Sequence, residues 1–225
     1  MGRTASDSNF PGWYVEFQAN VLRQLPRPGE IDQKTAESLG KNQGGLKKKL
    51  FGSLIGDVQS DRFELIKTVE ITVPDDYAND THLGSFKEQY AKAFYYYNDD
   101  INDENFGKAT IKLTPGRKFA VKIFRQTIPG GTTSEERMGF LHSQGAVFTG
   151  AQGASLVFEQ KRDELPKGFA YVSFDKKEAL WRDSDGNHRV PYLGRFSDGA
   201  WDFDLGRFER GWDVGHCLLC FCDLG

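Results

Sequence analysis

Three cysteines and a histidine crowd the final stretch of the chain as His216-Cys217-x-x-Cys220-x-Cys222, and four such ligands could hold Zn²⁺ in a tetrahedron. The residues between them argue otherwise. Leu218, Leu219 and Phe221 favour an extended strand, on which Cys217 and Cys220 point to opposite faces and only Cys220 and Cys222 share one. The expectation is buried core thiols and no metal. Asp183-Ser184-Asp185-Gly186-Asn187 imitates the opening of a calcium loop. His188 stands where that loop needs glycine, and Gly194 where it needs a bidentate glutamate. Asp-Gly between strand-like runs reads as a hairpin turn. Asp99, Asp100, Asp103 and Glu104 read as a solvated acidic loop. The glycine-rich GAVFTGAQG at 145–153 lacks the Lys-Ser/Thr of a phosphate loop and reads as a turn between two strands, so no cofactor is implied.

Catalysis by a nucleophile needs an activating base within reach. His82, His142, His188 and His216 stand in no catalytic motif, and His188 is the one left open to pair with a cysteine. Asp183, Asp185, Asp202 and Asp204 could serve a metal-dependent hydrolase if their two hairpins converged. In the alternating run from Arg195 onward, Trp201, Phe203 and Leu205 face inward and Asp202 and Asp204 outward. Arg195, Asp202, Asp204, Arg207 and Trp212 therefore make the candidate binding surface, for a protein or a small ligand such as a sugar. A weak helix-turn-helix pattern spans 32–50, where Lys41, Lys47, Lys48 and Lys49 could meet phosphates. Gly44 and Gly45 inside its second helix, and few base-reading side chains, make nucleic acid a minority reading.

The elements that would position these residues follow from composition and periodicity. The 225 residues include 18 Phe, 8 Tyr and 25 Gly, enough for a core with frequent turns, and a net charge of -3 argues against a general polyanion binder. No signal sequence or membrane span is expected, and an odd cysteine count points to a reducing cytoplasm. A leader at 1–10 precedes a helical segment at 11–57 and a larger α+β domain at 58–225. In the segment, Pro11 opens a helix to about Leu25, Asp32 caps a second that Gly40 stops, and a third covers 45–54. The larger domain begins with a strand at 63–73, a helix at 85–97, and strands at 108–114 and 118–127. The pair Thr133 and Glu136 then caps a helix ending at Gly145. Short strands near 146–149, 154–160, 169–174, 188–193, 200–205 and 217–223 complete a largely antiparallel C-terminal sheet, the last being inserted among the others.

The segments NVLRQLPRPGEIDQKTAESLGKNQGGLKKKL (20–50), SQGAVFTGAQGASLVFEQKRDELPKGFAYVSFD (143–175) and DSDGNHRVPYLGRFSDGAWDFDLGRF (183–208) resemble a family of hypothetical proteins from small-celled, uncultivated candidate-phyla bacteria. The resemblance implies a bacterial cytoplasmic protein and carries over no functional residue. With an ample core and no catalytic motif, the leading expectation is a non-catalytic binding module.

Overall fold

The computed structural model describes residues 11–23, 25, 32–42 and 62–225, and the chain divides into two compact units, Met1–Phe51 and Gly52–Gly225. In the first unit, α1 (Gly12–Arg23) begins with the amides of Tyr14 and Val15 on the Pro11 carbonyl. Helix α2 (Gln33–Lys41) is capped as expected by Asp32, whose carboxylate accepts from the Thr35 amide at 2.9 Å. Gly40 does not stop it, because the Asn42 amide still reaches the Ser38 carbonyl. The third expected helix, with Lys47, Lys48 and Lys49, lies outside the described residues.

The second unit is α+β. Its strands are β1 (Phe63–Thr72), β2 (Tyr96–Tyr97), β3 (Lys118–Gln126), β4 (Phe169–Val172), β5 (Arg189–Arg195), β6 (Trp201–Arg207) and β7 (His216–Asp223). They form one sheet in the order β1-β3-β7-β4-β5-β6-β2. The sheet is mixed, which corrects the largely antiparallel expectation: β7 runs parallel to β4, and β2 parallel to β6. The cause is the path of the C-terminus. Strands β4, β5 and β6 form an antiparallel meander, so β6 runs parallel to β4. The chain then passes back over β5 and β4 to insert β7 beside β3, in the same direction as β4. A hairpin could not make that return.

Alternation along the strands divides the core into two layers. Phe119, Val121, Ile123, Tyr171, Leu193, Phe203, Leu219 and Phe221 face α3 (His82–Tyr90) and α6 (Gly150–Lys161). On the other face Phe124, Val172, Val190, Leu218 and Cys220 meet α5 (Ser134–Ser143). Helix α5 has the expected capping box of Thr133 and Glu136, and the chain leaves it at Gly145 with φ 73°.

Several expected elements take other forms. The run from Ser85 becomes α3, a 3₁₀ turn at Ala91–Ala93 and then β2. Here the amides of Tyr95 and Asn98 bond the Trp201 and Phe203 carbonyls of β6, and tertiary pairing overrides helical spacing. Residues 108–114 form no strand, because the Asn79 side chain holds both the amide and the carbonyl of Leu113. Part of the acidic loop is a short helix, α4 (Asp103–Phe106). The expected strand at 146–149 shrinks to one bridge, Val147 to Phe221.

The largest departure is α6, where a glycine-rich turn and a strand were expected. Residues 150–158 are all buried, so no polar face marks the helical period. Gly153 is required by close approach. A Cβ there would stand 2.7 Å from the Phe221 ring of β7 and collide with the Thr149 hydroxyl, so the small residues let the helix press onto the sheet.

Candidate functional site

A cleft of about 270 Å³ opens where α3 meets α6 and the 73–81 loop. Its walls include Asp76, Tyr77, His82, Ser85, Tyr90 and Glu159. Helix α3 starts there because Asp103 of α4 accepts from the amides of Leu83 and Gly84 at 2.9 and 2.8 Å, doing what its own N-cap Thr81 does not. That anchor fixes His82 on the first turn, its ring 4.6 Å from Tyr77. Across from it, Ser155 and Glu159 stand one turn apart on α6. Buried Gln152 ties the loop to the helix, accepting from the Tyr77 hydroxyl and donating to the Asn79 carbonyl.

His82 Nε2 lies 2.7 Å from Ser155 Oγ, the spacing of a nucleophile and its base. The protons run the other way. The Ser155 hydroxyl has one hydrogen and donates it to the Gln152 carbonyl at 2.8 Å, so Nε2 must donate to Oγ. His82 therefore cannot take the serine proton in this arrangement, and Ser155 is fully buried. The pair is a structural hydrogen bond. It leaves His82 Nδ1 as an acceptor with no partner among the described residues.

Electrostatics follow from burial. Desolvation pulls the His82 pKa down to about 4, against the opposing pull of Asp103 and Asp76. Burial, and then the charge of Asp76, push the Glu159 carboxyl up to about 7. Glu159 has no hydrogen-bond or ion-pair partner among the described residues. The folded state thus holds an extra proton on Glu159 between 4.5 and about 7, a contribution lost as pH rises through 7. It holds fewer protons on His82 between about 4 and 6.5, a contribution lost as pH falls through 4. The two slopes oppose each other wherever these windows overlap. Urea melts across that overlap are expected to show stability climbing more steeply with pH in Glu159→Gln than in the wild type, and falling relative to it in His82→Asn. Parallel profiles for all three proteins would refute this assignment.

The candidate residues read from sequence are not gathered into one site. Arg195 turns back to donate to the Arg162 carbonyl at 2.9 Å and to that of Leu165, its guanidinium 5.2 Å from the Trp201 ring centre. It caps the chain leaving α6. Trp212 is buried and donates to Ser134 Oγ at 2.7 Å. Arg207 faces Arg189 at the far end of β6, about 17 Å along the strand from Asp202. Asp202 and Asp204 do share a face. Asp204 accepts from Asn98 and from the Tyr192 hydroxyl, both at 2.9 Å, while Asp202 folds over Gly194 with Oδ1 buried and unpartnered.

The two aspartate-bearing hairpins do not converge. Asp183 holds its own turn through the amides of Asp185 and Asn187 and pairs with Arg189, at the opposite end of β5 from Asp202. Among the described residues, no three His, Cys, Asp or Glu side chains could hold a metal ion. His188 accepts from Arg182 and donates to Glu209, which leaves it no cysteine partner. Cys217 faces one layer of the core and Cys220 the other, with Cys222 3.8 Å from Cys220 sulfur to sulfur. The cleft residues themselves escape a reading of the sequence. His82 is far from Ser155 and Glu159 in the chain, and a strand in place of α6 hides the one-turn spacing of those two.

Among the described residues, no helix is long and apolar enough to cross a membrane. Comparison of the chain with protein-family models, with curated proteins and with solved structures finds no match.

Proposed function

We propose that this protein is a non-catalytic binding module and that the cleft between α3 and α6 is its ligand site. The observation that carries the reading is the wiring of His82 and Ser155. This histidine–hydroxyl pair beside a cavity has its proton directed away from catalysis, while the cavity keeps polar groups without protein partners among the described residues. The volume lies just under the roughly 300–1,000 Å³ usual for small-ligand pockets, which suits a small ligand. A bacterial cytoplasmic setting, implied by the sequence resemblance, accords with this reading.

The test is a fragment screen followed by amide chemical shifts of the labelled full chain. Binders are expected to move the signals of His82, Ser85 and Glu159 saturably, and wild type and Ser155→Ala alike are expected to leave ester and amide substrates intact. Hydrolysis of ester or amide substrates that disappears in Ser155→Ala would replace this reading with a hydrolase.

A further inference from the structure

Resting on that reading, we infer that the cleft selects an organic ammonium ion, of the size of an aliphatic diamine. The walls contain the carboxylates of Asp76 and Glu159 and no lysine or arginine. Neither carboxylate forms an ion pair among the described residues, although nine pairs of Lys or Arg with other carboxylates do form there. The Nδ1 of His82 adds a third acceptor, fixed in that role by the proton that Nε2 gives to Ser155. Three acceptors and no cationic donor match a ligand that brings its own N–H groups and positive charge.

The chemistry also separates an ammonium from a bare metal ion. A hard divalent cation needs about six oxygen ligands closing round it, and no such cluster forms among the described residues. An alkylammonium needs fewer acceptors and gains from apolar contact along its chain. Phe86 and Tyr90 supply that contact in the same cleft, their rings 5.1 Å apart. Arg162 stacks on Tyr90 of the cleft wall, and its guanidinium is spent over the Tyr90 and Phe158 rings at 5.7 and 5.3 Å.

Putrescine, inorganic phosphate and glucose are the probes, titrated into the labelled full chain at pH 8. Putrescine is expected to shift the amides of Asp76, His82 and Glu159 saturably, and Glu159→Gln to weaken it at least tenfold, about 1.4 kcal/mol. Binding should also weaken at pH 5.5. Glu159 then carries its proton, with Asp76, Tyr77, His82 and Tyr90 the titratable groups around it and Arg162 beyond. Asp76→Asn, at an exposed position, gives the same readout should Glu159→Gln fold poorly. Phosphate or glucose shifting these residues while putrescine does not would overturn the ammonium inference and keep the cleft as a ligand site. Silence of all three probes at the cleft would overturn both. Putrescine shifts that never saturate, or that survive both variants, would sink the inference as general acidity of the surface.

Discussion

A chain cut after His216 is expected to be insoluble or molten, because β7 is the strand that joins the two halves of the sheet. Without it β3 loses its pairing over Phe119–Phe124, and β4 loses its parallel neighbour. Leu218, Leu219 and Phe221 are at most 2% exposed. At about 1.5–3 kcal/mol for each large apolar side chain, these three alone reach about 4.5–9 kcal/mol. Cys217, Cys220 and the ladder bonds add to that, against a total margin of about 5–15 kcal/mol for a domain. Leu224, by contrast, is exposed, and Asp223 holds a surface ion pair with Arg117. Removing only 223–225 should therefore leave the melting temperature nearly unchanged. Replacing Cys217, Cys220 and Cys222 together by Ala or Val should leave a folded, weakened protein. A 1–216 fragment that melts cooperatively near the full-length temperature would show that β7 does not hold the halves together.

Arg137→Met is expected to lose about 3–5 kcal/mol of stability, a large effect for a single side chain, because buried acceptors lose a charged donor. Arg137 is fully buried on α5, and burial lowers its pKa only to about 10, so it stays charged at neutral pH. No carboxylate among the described residues pairs with it. Its guanidinium instead donates to Thr132 Oγ1 at 2.7 Å, Gln126 Oε1 at 2.9 Å, and the carbonyls of His216 and Asp213 at 2.6 and 2.9 Å. Thr132 in turn donates to Gln126, which donates to the carbonyls of Ile128 and Gly130. One side chain thus ties the end of β3, the start of α5 and the entry to β7. Methionine fits the apolar space beside Phe63 and Trp212 but takes the charged donor from all four acceptors. Gln126 Oε1 keeps the Thr132 hydroxyl and the Asp213 carbonyl keeps the His216 amide, while the Thr132 oxygen and the His216 carbonyl lose the donor that Arg137 gave them, at about 1–3 kcal/mol each before relaxation. Lysine keeps the charge and cannot span four acceptors in a plane, so Arg137→Lys should recover less than half of the loss. At about 2–4 °C per kcal/mol, Arg137→Met should melt about 6–20 °C lower. A melting point within about 2 °C of wild type would show that the acceptors find water.

Elements whose stabilising contacts are local were legible in the sequence. The capping box before α5 depends on two side chains three residues apart, and the Asp183–Asn187 turn on one carboxylate and nearby amides. Strand β6, and β3 as far as Ile123, keep the period of two that marks a strand. The C-terminal strand was legible because so apolar a run needs two covered faces, and it has them. What failed was decided by distant partners. Helix α6 looked like a turn and a strand because burial on all sides erased its period, and its glycines serve contact with β7. Strand β2 exists only because β6 offers it carbonyls. The cleft depends on α6 being a helix, since it joins residue 82 to residue 159. Arg137 gave no signal either, standing among polar residues at a helix start where an exposed arginine would be unremarkable.

The pair of hydrogen bonds between Gln160 and Thr72 bears on how copies of this protein coexist at high concentration. Strand β1 is the outer edge of the sheet, and an uncovered edge is a template onto which another molecule can dock its own strand. The Gln160 side chain accepts from the Thr72 amide at 3.1 Å and donates to its carbonyl at 2.8 Å, as a neighbouring strand would. The irregularity between Leu65 and Lys67 shifts the register near the other end of the strand. An incoming strand therefore meets an occupied position at one end and a broken repeat at the other, which leaves too short a regular stretch for runaway fibril growth.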